Sequence, residues 1–277
     1  MLFRSNPAAR LVAVTTNVLG TGRLYFGKAG ASFDMAGYAQ TIGGLGKDMN
    51  IAEEVQYNGS VNNSGAETTL TIDVPEGETY NFNGSVARNV NIVKKGEGTQ
   101  QFNIANLANA ELFSDSIVVN AGRLDMKEFF VGTLEVEADG VFSPGNSIGT
   151  LNLTGDLNLN GGTLLMEIGG PTEADSDKLI IDGDLNLNDG NIVLQFVNGM
   201  TPNAEFAVVI DADNSSDPDF DILSHIDPYY FSNLSYGNGS GLWVLSGKVD
   251  ANAVPEPSTW ALLVLGAAGL LYWRKRR

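Results

Sequence analysis

The chain has no cysteine, a single histidine (His225), half as many basic as acidic residues, and only one apolar run of any length. Without cysteine there are no disulfides, zinc thiolates or iron-sulfur clusters, and thiols say nothing about redox compartment. One histidine and no cysteine leave Ser-His and Cys-His nucleophilic pairs a single partner, in HIDPYY (225–230), where a turn beside Pro228 is the simpler reading. Lys and Arg total 16 against 33 acidic residues, a formal charge of -17. A surface so anionic repels nucleic acid and anionic lipid, so a nucleic-acid partner is not expected.

What is abundant is glycine and asparagine, 33 and 27 of 277 residues, both turn-formers. Between them lie short runs with apolar residues at every second position: TTLTIDV (68–74), TLEVEADGVF (133–142), GTLNLTGDLNLNGGTLLMEI (149–168) and GNIVLQFV (190–197). Alternation of that kind marks strands, and the chain reads as all-β. One repeat is explicit. GDLNLNGGTLLMEI (155–168) returns as GDLNLNDGNIVLQF (183–196), with Leu157/Leu185, Leu159/Leu187, Leu164/Ile192, Met166/Leu194 and Ile168/Phe196 in matching places. A fixed period in the range of 20 to 50 residues belongs to stacked repeats. A parallel β-helix satisfies it, with roughly 25 residues per coil, about nine coils and about 4.8 Å per coil. A sandwich built of hairpins would alternate equally well and stays as the alternative.

FDMAGYAQTIGGL (33–45), IVKKGEGTQQFNIANL (92–107), IVVNAGRL (117–124) and FSPGNSIGTLNLTGDLNLNGGTLLMEI (142–168) resemble, in that order, autotransporter-associated β-strand repeats and passenger β-helices. With FAVVIDA (206–212) and GLWVLSG (241–247) the likeness spans most of residues 30–250. It implies a right-handed parallel β-helix displayed outside a bacterial cell. Autotransporters end in a membrane β-barrel, for which this chain has no residues, so the resemblance implies a different export route.

The ending, VPEPSTWALLVLGAAGLLYWRKRR (254–277), is unlike everything before it. Trp260 to Trp273 is an apolar run of 14 residues, about 21 Å as a helix and short of a hydrocarbon core of about 30 Å. Ser258 is placed to cap its first turn, Trp260, Tyr272 and Trp273 sit where interfacial aromatics belong, and Arg274, Lys275, Arg276 and Arg277 hold the C-terminus in the cytoplasm, leaving the body outside. Without this tail the chain carries 12 basic and 32 acidic residues. The layout is similar to PEP-CTERM sorting signals of Gram-negative bacteria: Pro255-Glu256-Pro257, a short helix over 260–273, and an Arg-rich end. The resemblance implies recognition by an exosortase, a membrane-embedded cysteine enzyme of transpeptidase type, and cleavage near the motif. Two prolines keep the tripeptide extended, which suits presentation to a protease. An ordinary tail anchor is the plainer alternative. Residues 1–29 form a poorly defined segment whose short LVAV stretch (11–14) is no export signal, so a truncated start is expected; 30–253 are the solenoid and 254–277 the signal.

Candidate sites in the body are few. DADNSSDPDFD (211–221) carries Asp211, Asp213, Asp217, Asp219 and Asp221 at calcium-loop spacing, but Ser216 and Ile222 stand where an EF-hand wants Gly and Glu. A solvated acidic loop is expected, with a weak cation site as the alternative. GGLGKDMNI (43–51) fits most of a calcium-binding nonapeptide, with Asn50 in the apolar place and no tandem copy. Glu53 and Glu54 are the only adjacent acids, and neighbours on a strand face opposite ways. The expectation is therefore a non-enzymatic structural or adhesive surface protein without cofactor, first held at the inner membrane and then at the cell surface or matrix, with extracellular polysaccharide as a candidate partner. The alternatives are a carbohydrate-active lyase or hydrolase on the same scaffold, or a sugar- or calcium-binding module. An enzyme gathers carboxylates and a Lys or Arg in one groove; a structural rod disperses them.

Overall fold

The computed structural model describes residues 10–27, 30–51, 59–103, 116–197, 205–212, 231–239 and 242–249. Among them the chain is strands and turns, with one 3-10 turn at Glu173–Asp175 and no α-helix, as the alternation requires. Seventeen strands join in one curled, continuous sheet, beside sheets of four and two strands.

Successive passes of the chain pair in parallel, which hairpins do not give. Thr68–Asp73 pairs with Val90–Lys95, which pairs with Ser116–Val131, which pairs with Thr133–Ser143. The step in sequence varies from Ser116↔Thr133 to Lys178↔Val209, and is constant only where the repeat is explicit. There Leu157↔Leu185 and Leu164↔Ile192 stand in register, as do Met166↔Leu194 and Ile168↔Phe196. Besides the isolated bridges Glu137↔Gly161 and Ile168↔Ser176, antiparallel pairing among the described strands is confined to Lys47–Asp48 with Thr79–Phe82, and to Leu242–Val249 with both Glu205–Ala212 and Phe231–Gly239. GLWVLSG, one of the repeat-like stretches, thus falls in an antiparallel meander that covers the far side of the last parallel strand. At the other end Arg10–Val12, inside the segment expected to be ill-defined, pairs in parallel with Ser32–Asp34.

Parallel register puts like on like. One core row runs Leu70, Ile92, Ile117, Leu134, Leu157, Leu185 from pass to pass, and none is more than 2% exposed. Each such burial is worth roughly 1.5–3 kcal/mol relative to an exposed side chain. Phe26, Phe82 and Phe102 form an aromatic file, with ring centroids 5.9 Å and 6.2 Å apart. On the outside, Asn186 Nδ2 donates to Asn158 Oδ1 at 2.8 Å and Asn188 Nδ2 to Asn160 Oδ1 at 3.1 Å, so the repeated asparagines form a side-chain ladder. The glycine that opens each repeat has a steric reason. A Cβ at Gly183 would lie 2.3 Å from the carbonyl oxygen of Gly155, and one at Gly155 would lie 2.3 Å from that of Gly132. The corner column accepts no side chain.

Two polar residues interrupt the core rows. Lys94 is aligned between Ile72 and Val119 and is fully buried. Its Nζ donates to the carbonyls of Lys95, Gly96 and Ala121 at 2.8, 2.7 and 3.0 Å, satisfying backbone acceptors where the chain turns a corner. Gln100, aligned between Tyr80 and Leu124, accepts from Leu45 N and donates to Leu45 O, tying a short strand to the core. Where Arg10–Val12 meets Ser32–Asp34, Asp34 is fully buried and paired with Arg10. Burial works against its charge, but Arg10 and the backbone N–H groups of Ser64 and Ala36 outweigh it and hold the carboxyl well below the usual range.

Leu134→Ala is expected to cost about 2–5 kcal/mol in urea unfolding, because the row above and below leaves little room to collapse. Burial lowers the Lys94 pKa from 10.5 to about 8, with Asp73 and Glu97 pulling against it. Between pH 8 and 10 the unfolded chain holds a proton that folded Lys94 has released, so on its account stability rises with pH in that window. The rise should be missing in Lys94→Met, as read by melting temperature against pH in the two proteins.

Candidate functional site

Much of what the sequence singles out lies outside the described residues: Glu53 and Glu54, Asp213, Asp217, Asp219, Asp221, His225, and the whole tail, with Pro255, Glu256, Pro257, Trp260, Tyr272, Trp273 and the four terminal cations. The expected membrane helix over 260–273 lies there too; among the described residues no helix is long and apolar enough to cross a membrane. Asp211, the first residue of the calcium-loop candidate, lies in the strand Glu205–Ala212, its backbone aligned with Ile180 and Leu242. No group of three or more His, Cys, Asp or Glu that would hold a metal occurs among the described residues. In the nonapeptide candidate the glycines have a packing role: a Cβ at Gly44 would meet the Tyr80 ring at 2.1 Å, and one at Gly46 the carbonyl oxygen of Asn81 at 2.0 Å.

The body nonetheless gathers charge at one place, from residues far apart in the sequence. Arg123 and Asp125 lie on the same strand, Ser116–Val131, two residues apart and so on the same face. Glu167 lies on Thr163–Ile168, 44 residues beyond Arg123, and Asp177 follows the 3-10 turn. Arg123 Nε donates to Asp125 Oδ1, and its Nη2 to Glu167 Oε1 at 3.0 Å. Gln101, aligned with Asp125, donates to its other oxygen at 3.0 Å. Asp177 accepts from the backbone of Gly149 at 2.9 Å and of Glu167 at 2.7 Å, and so ties the loop after Ser143 to the strand that carries Glu167. Three carboxylates and an arginine therefore converge, and the dispersal expected of a purely structural rod does not hold here.

The cluster borders an open cleft of about 330 Å³. It is lined by Thr79, Thr99, Gln101, Arg123, Asp125 and Glu167 from the strands, with Asn146 and Ser147 from the loop after Ser143. Arg123 is 27% exposed, whereas the side chains of Asp125 and Glu167 are 3% and 9% exposed. Ser147 has φ 115°, a conformation that costs a non-glycine residue of order 1–3 kcal/mol. Burial raises the carboxyl of Asp125 to about 6, against the pull of Arg123 and Gln101. Burial raises Asp177 further, to about 7, despite its two backbone donors; Glu167 adds to the rise and Arg123 opposes it. The guanidinium, although burial disfavours its charge, is held above its ordinary range by Asp125 and Glu167.

This is a poor general acid and base pair. A general acid needs a proton and a path to substrate. Asp177, the best proton holder, is fully buried and has both oxygens engaged, while Asp125 and Glu167 are both tied to one guanidinium. What the arrangement offers is donors and acceptors at fixed positions. Its only sequence trace is an acid at an outward position between two core residues, as in Leu124-Asp125-Met126 and Met166-Glu167-Ile168. Nothing in the spacing says that the two meet, because the passes between them differ in length.

Asp177 gives a signed pH effect. Its folded pKa lies above the unfolded value, so its stabilising contribution is complete below about pH 4 and is lost as pH rises through about 7. Asp177→Asn should therefore cost more stability at pH 5 than at pH 8 in urea melts. An equal cost at both would mean that the group stays ionised throughout.

No curated protein matches the chain. Residues 253–277 match the PEP-CTERM protein-sorting motif. The motif marks the chain for exosortase-dependent sorting to the cell surface, and hence for processing by that membrane enzyme.

Proposed function

We propose that the chain is a non-enzymatic structural or adhesive rod, a right-handed parallel β-helix of the kind seen in autotransporter passengers, delivered to the cell surface or extracellular matrix. The observation that carries the delivery is the sorting motif at residues 253–277. In this reading residues 260–273 form a short helix that holds the chain at the inner membrane, with Trp260, Tyr272 and Trp273 at its interfaces. Arg274 to Arg277 keep the C-terminus in the cytoplasm, and the exosortase cuts near Pro255-Glu256-Pro257. The rod is supported by parallel ladders with like residues in register across six passes, and by the antiparallel meander that covers one end. A surface with this excess of carboxylates stays soluble and resists collapse onto anionic lipid.

One observation favours a second reading, a carbohydrate-active enzyme: the meeting of Arg123 with Asp125 and Glu167 in a cleft. Against it stand the shared guanidinium and the saturated Asp177. Incubating the protein with polysaccharides and assaying new reducing ends or unsaturated uronates separates the two; sustained product formation lost in Glu167→Gln would replace the structural reading by the enzymatic one. The sorting half has its own test. With the exosortase present, replacing Pro255 and Glu256 by Ala is expected to leave full-length protein in the membrane fraction on immunoblots, and unchanged processing would remove the motif from the mechanism.

A further inference from the structure

The cleft at Arg123 has features that an internal salt bridge does not need. Arg123 spends Nε on Asp125 and Nη2 on Glu167, and its Nη1 has no partner among the described residues although the side chain is partly exposed in the cleft. Asn146, in the loop after Ser143, donates to Asn103 through Nδ2 but leaves a buried Oδ1 unpartnered. Three residues earlier, Ser143 is aligned with Asp125, fully buried, and has an unpartnered Oγ. Buried polar atoms without partners are rare, and each asks for a reason. Here two of these groups, Arg123 Nη1 and Asn146 Oδ1, belong to residues that line one opening, beside a strained Ser147, and the third lies buried in the strand that leads to it.

The lining says what fits. Apart from Val197 every residue of the cleft is polar, and none is aromatic. The local charges, one guanidinium against Asp125 and Glu167, sum to a net negative, inside a body of 12 basic and 32 acidic residues. Anionic ligands are therefore disfavoured, and a divalent cation lacks its ligand set among the described residues. Donors and acceptors set side by side suit hydroxyl groups, each of which gives and takes a hydrogen bond. The lining also has a direction. Thr79, Thr99 and Arg123 are aligned on three successive passes, at the spacing of parallel strands, about 4.8 Å, which is close to the advance of one sugar unit along an extended glycan.

We propose that this cleft binds one or two units of a neutral polysaccharide lying across the passes, through Arg123 Nη1, Glu167 and Asn146. The proposal deepens the adhesive reading above and rests on it for the source of the ligand, a glycan outside the cell; its geometry is that of the body alone. The volume is at the low end for small-ligand sites, so binding is expected to be weak for one copy and to gain by display of many copies on a surface.

The test is calorimetric titration of the detergent-solubilised full-length chain with cellotetraose, maltotetraose and mannotetraose as neutral probes, and tetragalacturonate as the anionic one. At least one neutral probe should bind with a dissociation constant of about millimolar or tighter, and better than tetragalacturonate. Arg123→Met should weaken it about tenfold or more. Because that substitution also strips two buried carboxylates of their partner, Thr99→Trp serves as the second variant: it fills the cleft beside Arg123 while keeping every ion-paired residue in the chain, and should abolish binding while the protein still melts cooperatively. Absence of binding by every neutral probe, tighter binding of tetragalacturonate, or undiminished binding by Thr99→Trp would overturn the proposal. Such a failure leaves the processing of the Pro255/Glu256 variant unaffected, so loss of the glycan site and loss of the sorting reading are told apart.

Discussion

Parallel hydrogen bonding between one pass of the chain and the next is the constraint on which everything else here depends. A strand in the middle of such a stack has no solvent to satisfy its N–H and C=O groups, so it must match the pass before and the pass after. Matching backbones puts side chains of equal register on top of one another, about 4.8 Å apart. Every position thus becomes a column with a common environment. Leu70 to Leu185 is a column of core residues, Asn158 and Asn186 a column of amides, and Gly155 and Gly183 a column with no room for a β-carbon. A column of like amides is stable because each donates to the next.

Where a column is broken, the break has a use. Lys94 in an aliphatic row collects three carbonyls at a corner, and Gln100 binds both backbone groups of Leu45. The charges inside the molecule are few against those on its surface, and they are found at seams: Asp34 with Arg10 between the first two described passes, and Asp177 between the loop after Ser143 and the strand of Glu167. Their pKa values move in opposite directions for one reason. Asp34 accepts from a guanidinium and two backbone donors, enough to outweigh burial, whereas the two backbone donors of Asp177 and the field of Arg123 do not outweigh burial and the carboxylate of Glu167.

The strands were legible because alternation, glycine spacing and the repeat at 155–168 all report the same thing, a pleat with one buried face. The parallel order was legible from that repeat alone, since 28 residues exceed a hairpin and equal one pass. The meander of Phe231–Gly239 and Leu242–Val249 was not, because a strand alternates whichever way its neighbour runs. The acidic cluster was hidden for a different reason. Asp125 and Glu167 are brought together by two passes of unequal length, and each looks, in its own strand, like any outward-facing acid. The sorting motif was the reverse case: a linear signal read as a string, which asks nothing of the fold.

The columnar order also fixes how such a chain can change in length. One residue gained or lost inside Thr163–Ile168 would turn the core side chains beyond it in that strand outward, whereas a change in a turn is absorbed there, as the unequal passes show. A whole pass gained or lost leaves all columns in place, as the near-identity of 155–168 and 183–196 illustrates. The molecule therefore has a reading frame of its own, counted in passes rather than codons: its length is free to vary by duplication and in its turns, while its strands stay closed to single-residue drift.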